Sequence, residues 1–282
     1  MRGYICCEPA SAERSTMLDL RGVWAHYAGR CALENVSLRL GAGERVAVVG
    51  PNGAGKSTMF KVIAGTLAPS AGSVCVYGSD PGRHVCIAYI EQHADLNWRF
   101  PATVEDVVAM GRIARVRYFR YLRRRDRAIV AEAMERVAIA DLRRRQIGEL
   151  SGGQQRRMFI ARALAQEAEV MLLDEPYAGL DADAGRMLSD TLDSIGEAIA
   201  VMVATHDLGV AEHLGRVLLL NRRLIAAGTP DEVLVPEHLG VAYGGNLGRI
   251  HGKNGAASPG GSAIKPRYRR RLLNGTSRSE AG

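Results

Sequence analysis

Residues 50–58 read Gly50-Pro51-Asn52-Gly53-Ala54-Gly55-Lys56-Ser57-Thr58, a Gly-x4-Gly-Lys-Ser spacing that leaves the chain little choice of local structure. Its glycines let the backbone curl so that successive N–H groups point at phosphate oxygens, and a following helix adds its positive end. Such a loop works only between a buried strand and a helix. Both flanks agree. Arg45-Val46-Ala47-Val48-Val49 is a short β-branched run, and Met59, Phe60, Val62 and Ile63 recur at helical spacing. The pattern predicts an α/β fold in which Lys56 reaches the β- and γ-phosphates of a nucleotide and Ser57 holds Mg²⁺.

Two later stretches sharpen this reading. Met171-Leu172-Leu173-Asp174 is an apolar strand ending in a carboxylate, suited to bind Mg²⁺ directly or through water, and Glu175 follows at once. Leu150-Ser151-Gly152-Gly153-Gln154 places small residues ahead of a helix expected over 155–166. That makes a second anion-binding helix start, free because the first loop already serves the chain's own nucleotide. In this order, with Pro176 after Glu175, the motifs resemble those of the ATP-binding cassette (ABC) ATPases.

The resemblance covers residues 18–235 and implies further roles. Glu175 polarises the attacking water. Ser151, Gly152, Gly153 and Gln154 close over the γ-phosphate of a partner subunit, so hydrolysis needs a dimer, here a homodimer. Gln92 touches Mg²⁺ and relays permease contact, His206 contacts the γ-phosphate, and Tyr27 stacks on adenine, with Trp24 and His26 close enough to compete. Tyr177-Ala178-Gly179-Leu180-Asp181 departs from the family's Ser-x-Leu-Asp but keeps Asp181. The implied fold class is α/β: a P-loop NTPase core with an antiparallel β edge, a helical ABC-specific subdomain at about 95–155, and a disordered C-terminal tail. Residues 1–16 read as a flexible leader, 17–240 as the ATPase domain and 241–282 as the tail.

The segment after Gln92, running through Trp98, Phe100 and Pro101 to Arg112, is similar to that of importer ATPases for manganese, zinc and iron. The implied protein is the motor of an importer for a divalent metal ion or chelate. Its partners would be an integral membrane permease and, through it, an extracytoplasmic solute-binding protein. Trp98, Phe100 and Pro101 suggest an apolar groove for a permease helix, or plain core. Arginines crowd 112–127, among them Arg112, Arg123, Arg124, Arg125 and Arg127, which reads as a solvated face or a headgroup contact.

Charge argues against a nucleic-acid partner. The net +7 arises from residues 241–282, where eight Lys/Arg face one acid; residues 1–240 hold 29 basic and 29 acidic side chains. That tail is rich in Gly, Ser and Arg and cannot bury enough apolar surface to fold alone. No apolar run reaches the ~18 residues needed to span a bilayer, and Met1 to Pro9 contain no apolar core of a secretory signal. The expected location is peripheral, at the cytoplasmic face of the cell membrane. Five cysteines without C-x-x-C spacing read as reduced thiols. Only 58 residues separate Gln92 from Ser151, too few for the long coiled coil of a chromosome-structuring relative. A regulatory cassette would lose Lys56 or Glu175, and both are present.

Overall fold

The computed structural model describes residues 16–77, 87–92, 98–113, 122–196 and 198–244. The expected leader and tail therefore lie outside the described residues, apart from Thr16, which opens the first strand, and the first residues of the expected tail. Two sheets and a helical layer make up the fold. The larger sheet holds six strands: β3 (Arg45–Val49), β5 (Ile87–Ile90), β6 (Val170–Asp174), β7 (Ala200–Thr205), β8 (Arg216–Asn221) and β9 (Arg223–Gly228). Their order is β5-β6-β7-β3-β8-β9, parallel except for the antiparallel β8–β9 hairpin. The smaller sheet, β2-β1-β4, is antiparallel and is built from β1 (Thr16–Tyr27), β2 (Arg30–Gly41) and β4 (Ala71–Val76).

The central strands read as unbroken apolar runs because both of their faces are covered. Period-two alternation then decides which core each residue enters. Val46 and Val48 of β3, Leu172 of β6 and Met202 of β7 meet the small sheet and helix α1 (Lys56–Ile63). Leu173 and Val203 point the other way. They join one core with α2 (Val104–Ile113), α3 (Arg124–Arg136), α4 (Gly152–Ala165) and α5 (Ala182–Ser194). Ala47, Val49, Val217 and Leu219 pack under α6 (Leu208–Glu212), α7 (Pro230–Val233) and α8 (Pro236–Tyr243).

Four expectations shift. Helix α4 begins at Gly152, three residues before the start expected at 155, because Ser151 caps it, and it ends at Ala165 with its buried face in the sheet core. Helix α8 continues to Tyr243, past the boundary expected at 240; its own Leu239 and Ala242 are buried against the sheet, and Gly244 ends it in a left-handed turn. Cys75, read as a reduced thiol, is disulfide-bonded. Arg112 is not a solvated arginine. It is buried, bonding Asp126 Oδ1 at 3.1 Å, the Ala165 carbonyl at 2.9 Å and Glu167 Oε2 at 2.7 Å, and so ties α2 to α3 and α4. Arg123, Arg124, Arg125 and Arg127 are exposed as expected, and Arg115, Arg117 and Arg120 lie outside the described residues.

Candidate nucleotide site

At the carboxyl end of β3 the chain turns into the loop that precedes α1. Gly50 closes against the β8–β9 hairpin: a Cβ there would lie 2.0 Å from the Leu220 carbonyl oxygen. Gly55 has φ 97°, and its Cβ would meet the Ala32 carbonyl oxygen at 2.3 Å. Only glycine allows both the left-handed turn and the close approach of β2. The Lys56 Nζ donates to the carbonyl oxygens of Gly50 at 2.8 Å and Pro51 at 3.3 Å, and lies 3.7 Å from Glu175 Oε1. Burial pushes the Lys56 pKa down, against an upward pull from Glu175 and Asp174.

Strand β6 delivers the two adjacent carboxylates and separates them. Asp174 ends the strand, and its Oδ2 accepts a hydrogen bond from the Tyr89 hydroxyl at 3.2 Å. Glu175 adopts φ 48°, with its N–H donating to the Ala204 carbonyl at 2.9 Å. A non-glycine residue held there stores about 1–3 kcal/mol, as side chains at working sites often do. The turn brings Glu175 Oε2 to 3.0 Å from His206 Nδ1, beyond the end of β7. Burial, then the nearby Asp174 and Glu91 charges, push the Tyr89 hydroxyl far above its ordinary pKa, so it stays a donor.

One cavity of about 750 Å³ gathers these parts. Asn52, Gly53, Ala54, Gly55, Lys56, Ser57, Thr58, Gln92, Asp174, Glu175 and Tyr27 all line it. Gly50 and Pro51 form the turn behind Lys56. Tyr27 stands at the end of β1, 53% exposed, with the Lys61 ammonium 5.0 Å from its ring centroid. Ser57, Gln92 and Asp174 line one space and each carries a side-chain oxygen, the kind of ligand a hard cation such as Mg²⁺ requires.

Ser151 to Gln154 do not line this cavity. Ser151 caps α4, donating its N–H to Gln154 Oε1 at 2.9 Å and accepting from the Gln154 N–H at 3.4 Å. Around them stand Leu180 and Ala184: a Cβ on Gly152 would meet Leu180 at 3.7 Å, and one on Gly153 would meet Ala184 at 3.1 Å. Asp181 caps α5, its Oδ1 accepting from the Ala184 N–H at 2.8 Å. The signature and the Asp181 loop thus form one surface away from the chain's own phosphate loop.

The motif reading missed a second wall of the cavity. Arg30, Cys31, Ala32 and Glu34 from the β1–β2 hairpin, and Asn221, Arg222 and Arg223 from the β8–β9 turn, also line it. Arg222 has φ 57°; its N–H donates to the Ala54 carbonyl and its carbonyl accepts from the Glu34 N–H, both at 2.8 Å. Its sequence neighbourhood carries no nucleotide motif, so only the sheet order reveals its place.

Trp98 settles on the other side of its expectation. It is half-buried against the helical core, edge-on to Phe159 with ring centroids 6.3 Å apart. Phe100 is 57% exposed, and Pro101 is exposed too.

The family described as ABC transporter matches this chain over residues 33–178, the stretch holding the phosphate loop, the signature and the paired carboxylates. The chain belongs to the ABC transporter family. It is 42% identical over 229 residues to the chelated iron transport system membrane protein YfeB of Yersinia pestis, covering 79% of this chain and 77% of that one. It is 41% identical to the manganese transport system ATP-binding protein MntB of Halalkalibacterium halodurans, over 81% and 92% of the two chains. Among solved structures it resembles CbiO1 of Clostridium perfringens, part of the ABC transporter complex CbiONQ, with TM-score 0.69 and 29% identity over 84% and 97% of the chains. This ABC ATPase binds and hydrolyses ATP. Among its described residues no helix is long and apolar enough to cross a membrane.

Proposed function

We propose that this ABC ATPase powers import of a divalent metal ion or metal chelate, working as a homodimer with two shared ATP sites at the cytoplasmic face of a membrane permease. The observation that carries the shared site is the separation of Ser151–Gln154 from the cavity holding Lys56, Asp174 and Glu175. A signature that cannot serve its own nucleotide is suited to serve that of a second copy. The metal cargo rests on relatives named for chelated iron and manganese transport.

In this reading the loop N–H groups and Lys56 hold the β- and γ-phosphates, and Tyr27 stacks on the base. Ser57, Gln92 and Asp174 would hold Mg²⁺, which would neutralise phosphate charge. Glu175 orients the attacking water, its carboxylate steadied by His206 and Lys56. Asp181 and the signature belong to the face that meets the second copy. Phe100 and neighbouring exposed apolar residues of α2, Met110 and Ile113, offer the permease its contact. A solute-binding protein outside the membrane would deliver cargo to that permease.

Glu175→Gln should abolish turnover, keep ATP binding and accumulate an ATP-bound dimer on size-exclusion chromatography. Near-normal hydrolysis would remove Glu175 from the mechanism. Mixing Lys56→Ala with Ser151→Arg chains tests the shared site: the mixed dimer can rebuild one intact site, from Lys56 of the signature variant and Ser151 of the loop variant. Activity that follows only each chain's own loop would reject sharing. For cargo, cellular manganese, zinc and iron measured by mass spectrometry should fall for one of these metals in cells carrying Glu175→Gln; unchanged contents of all three would reject metal import.

A further inference from the structure

We infer that Tyr89 is a positioning residue for the metal-bound nucleotide, its hydroxyl fixing the rotation of the Asp174 carboxylate while its ring rests on the phosphate-loop helix. The inference rests on the proposed role of Asp174 as a Mg²⁺ ligand. Tyr89 sits in β5, directly beside Leu172 in the parallel β5–β6 pair, and does not line the nucleotide cavity. It reaches Asp174 from behind, donating to Oδ2 at 3.2 Å. Oδ1 takes no protein hydrogen bond among the described residues, so the oxygen not held by Tyr89 is the one free to serve the cavity. A carboxylate with one oxygen tied has one rotation left to offer, and such outer contacts orient ligands without touching the metal.

The ring makes the second contact. Its centroid lies 6.2 Å from that of Phe60 with the planes at 84°, an edge-on aromatic pair. Phe60 is fully buried on α1, three residues after Ser57 and so on the same side of the helix. One side chain therefore spans the two elements that carry the expected oxygen ligands, the start of α1 and the end of β6. It also belongs to the strand that leads into Gln92, so all three ligand-bearing segments meet at Tyr89.

The test is Tyr89→Phe, which removes one hydroxyl and keeps the ring. The full chain is titrated with a fluorescent ATP analogue in EDTA and at increasing Mg²⁺, beside Asp174→Asn and with thermal unfolding of each variant. Loss of a contact behind a ligand weakens metal affinity by roughly 10–100-fold. The expected result is an unchanged Kd in EDTA, a half-saturating Mg²⁺ concentration raised about tenfold, and an unfolding temperature close to that of the parent. An unchanged Mg²⁺ requirement in Tyr89→Phe, while Asp174→Asn abolishes it, overturns the role of Tyr89 alone. Equal weakening with and without Mg²⁺, accompanied by a lower unfolding temperature, makes Tyr89 merely structural and also overturns it. A Mg²⁺ requirement intact in Asp174→Asn overturns the underlying assignment of Asp174.

Discussion

Alanine at three glycines of the phosphate loop separates two costs that are usually confounded. Gly53 has φ 81°, but an added Cβ would meet nothing within 4 Å. Its alanine variant should lose only the cost of an L-residue in the left-handed region, about 1–2 kcal/mol. Gly55, at φ 97°, bears that cost and a collision as well: its Cβ would lie 2.3 Å from the Ala32 oxygen and 2.9 Å from Leu33 Cδ2. Both neighbours belong to β2, which pairs with β1 along its length and cannot yield cheaply. Forced overpacking adds about 1–3 kcal/mol, for a total of about 2–5 kcal/mol. Gly50 has no positive φ, so Gly50→Ala should show the collision alone, against the Leu220 oxygen at 2.0 Å and Ala54 Cβ at 3.0 Å. Urea unfolding of the three variants gives these differences directly. Relieving a contact of that size moves the loop by about 1 Å, a misplacement that can cost about 100-fold in rate, so Gly55→Ala should also lower kcat/KM for ATP on that scale. Equal destabilisation by Gly53→Ala and Gly55→Ala would refute the reasoning, because it would mean the approach of β2 to the loop carries no energy.

Arg222→Gly should stabilise the chain by up to about 1 kcal/mol in urea unfolding, since relief of the left-handed strain exceeds glycine's entropy cost; a loss of stability would show that the arginine side chain anchors the hairpin. Trp98→Ala should lower unfolding temperature and both basal and permease-stimulated ATPase together, because Trp98 packs on Phe159. Phe100→Ala should spare basal activity and reduce only the stimulated rate. The opposite pattern would move the permease contact from Phe100 to Trp98.

Local sequence alone determined the phosphate loop, the strand that feeds it, the carboxylates at the end of β6 and the small-residue start of α4. Each is a short-range device whose glycines, apolar run and polar terminus sit within a few residues of one another, so backbone sterics and hydrogen-bond satisfaction specify it without distant help. The apolar runs Val201–Ala204 and Val217–Leu220 lie within β7 and β8 and are buried throughout. Their order could not be read, because a strand covered on both faces looks the same wherever it sits in the sheet. The order β7-β3-β8 is what carries Asn221, Arg222 and Arg223 to the phosphate loop and His206 to Glu175. Arg112 shows the same limit: in a run of arginines it reads as solvated, yet the packing of three helices surrounds it with Asp126, Glu167 and the Ala165 carbonyl. Trp98 was ambiguous in the sequence and Tyr89 carried no signal there, for one reason. An aromatic side chain serves equally as core, as surface or as support for a ligand, and only the neighbours supplied by the tertiary fold, Phe159 for one and Asp174 with Phe60 for the other, decide which.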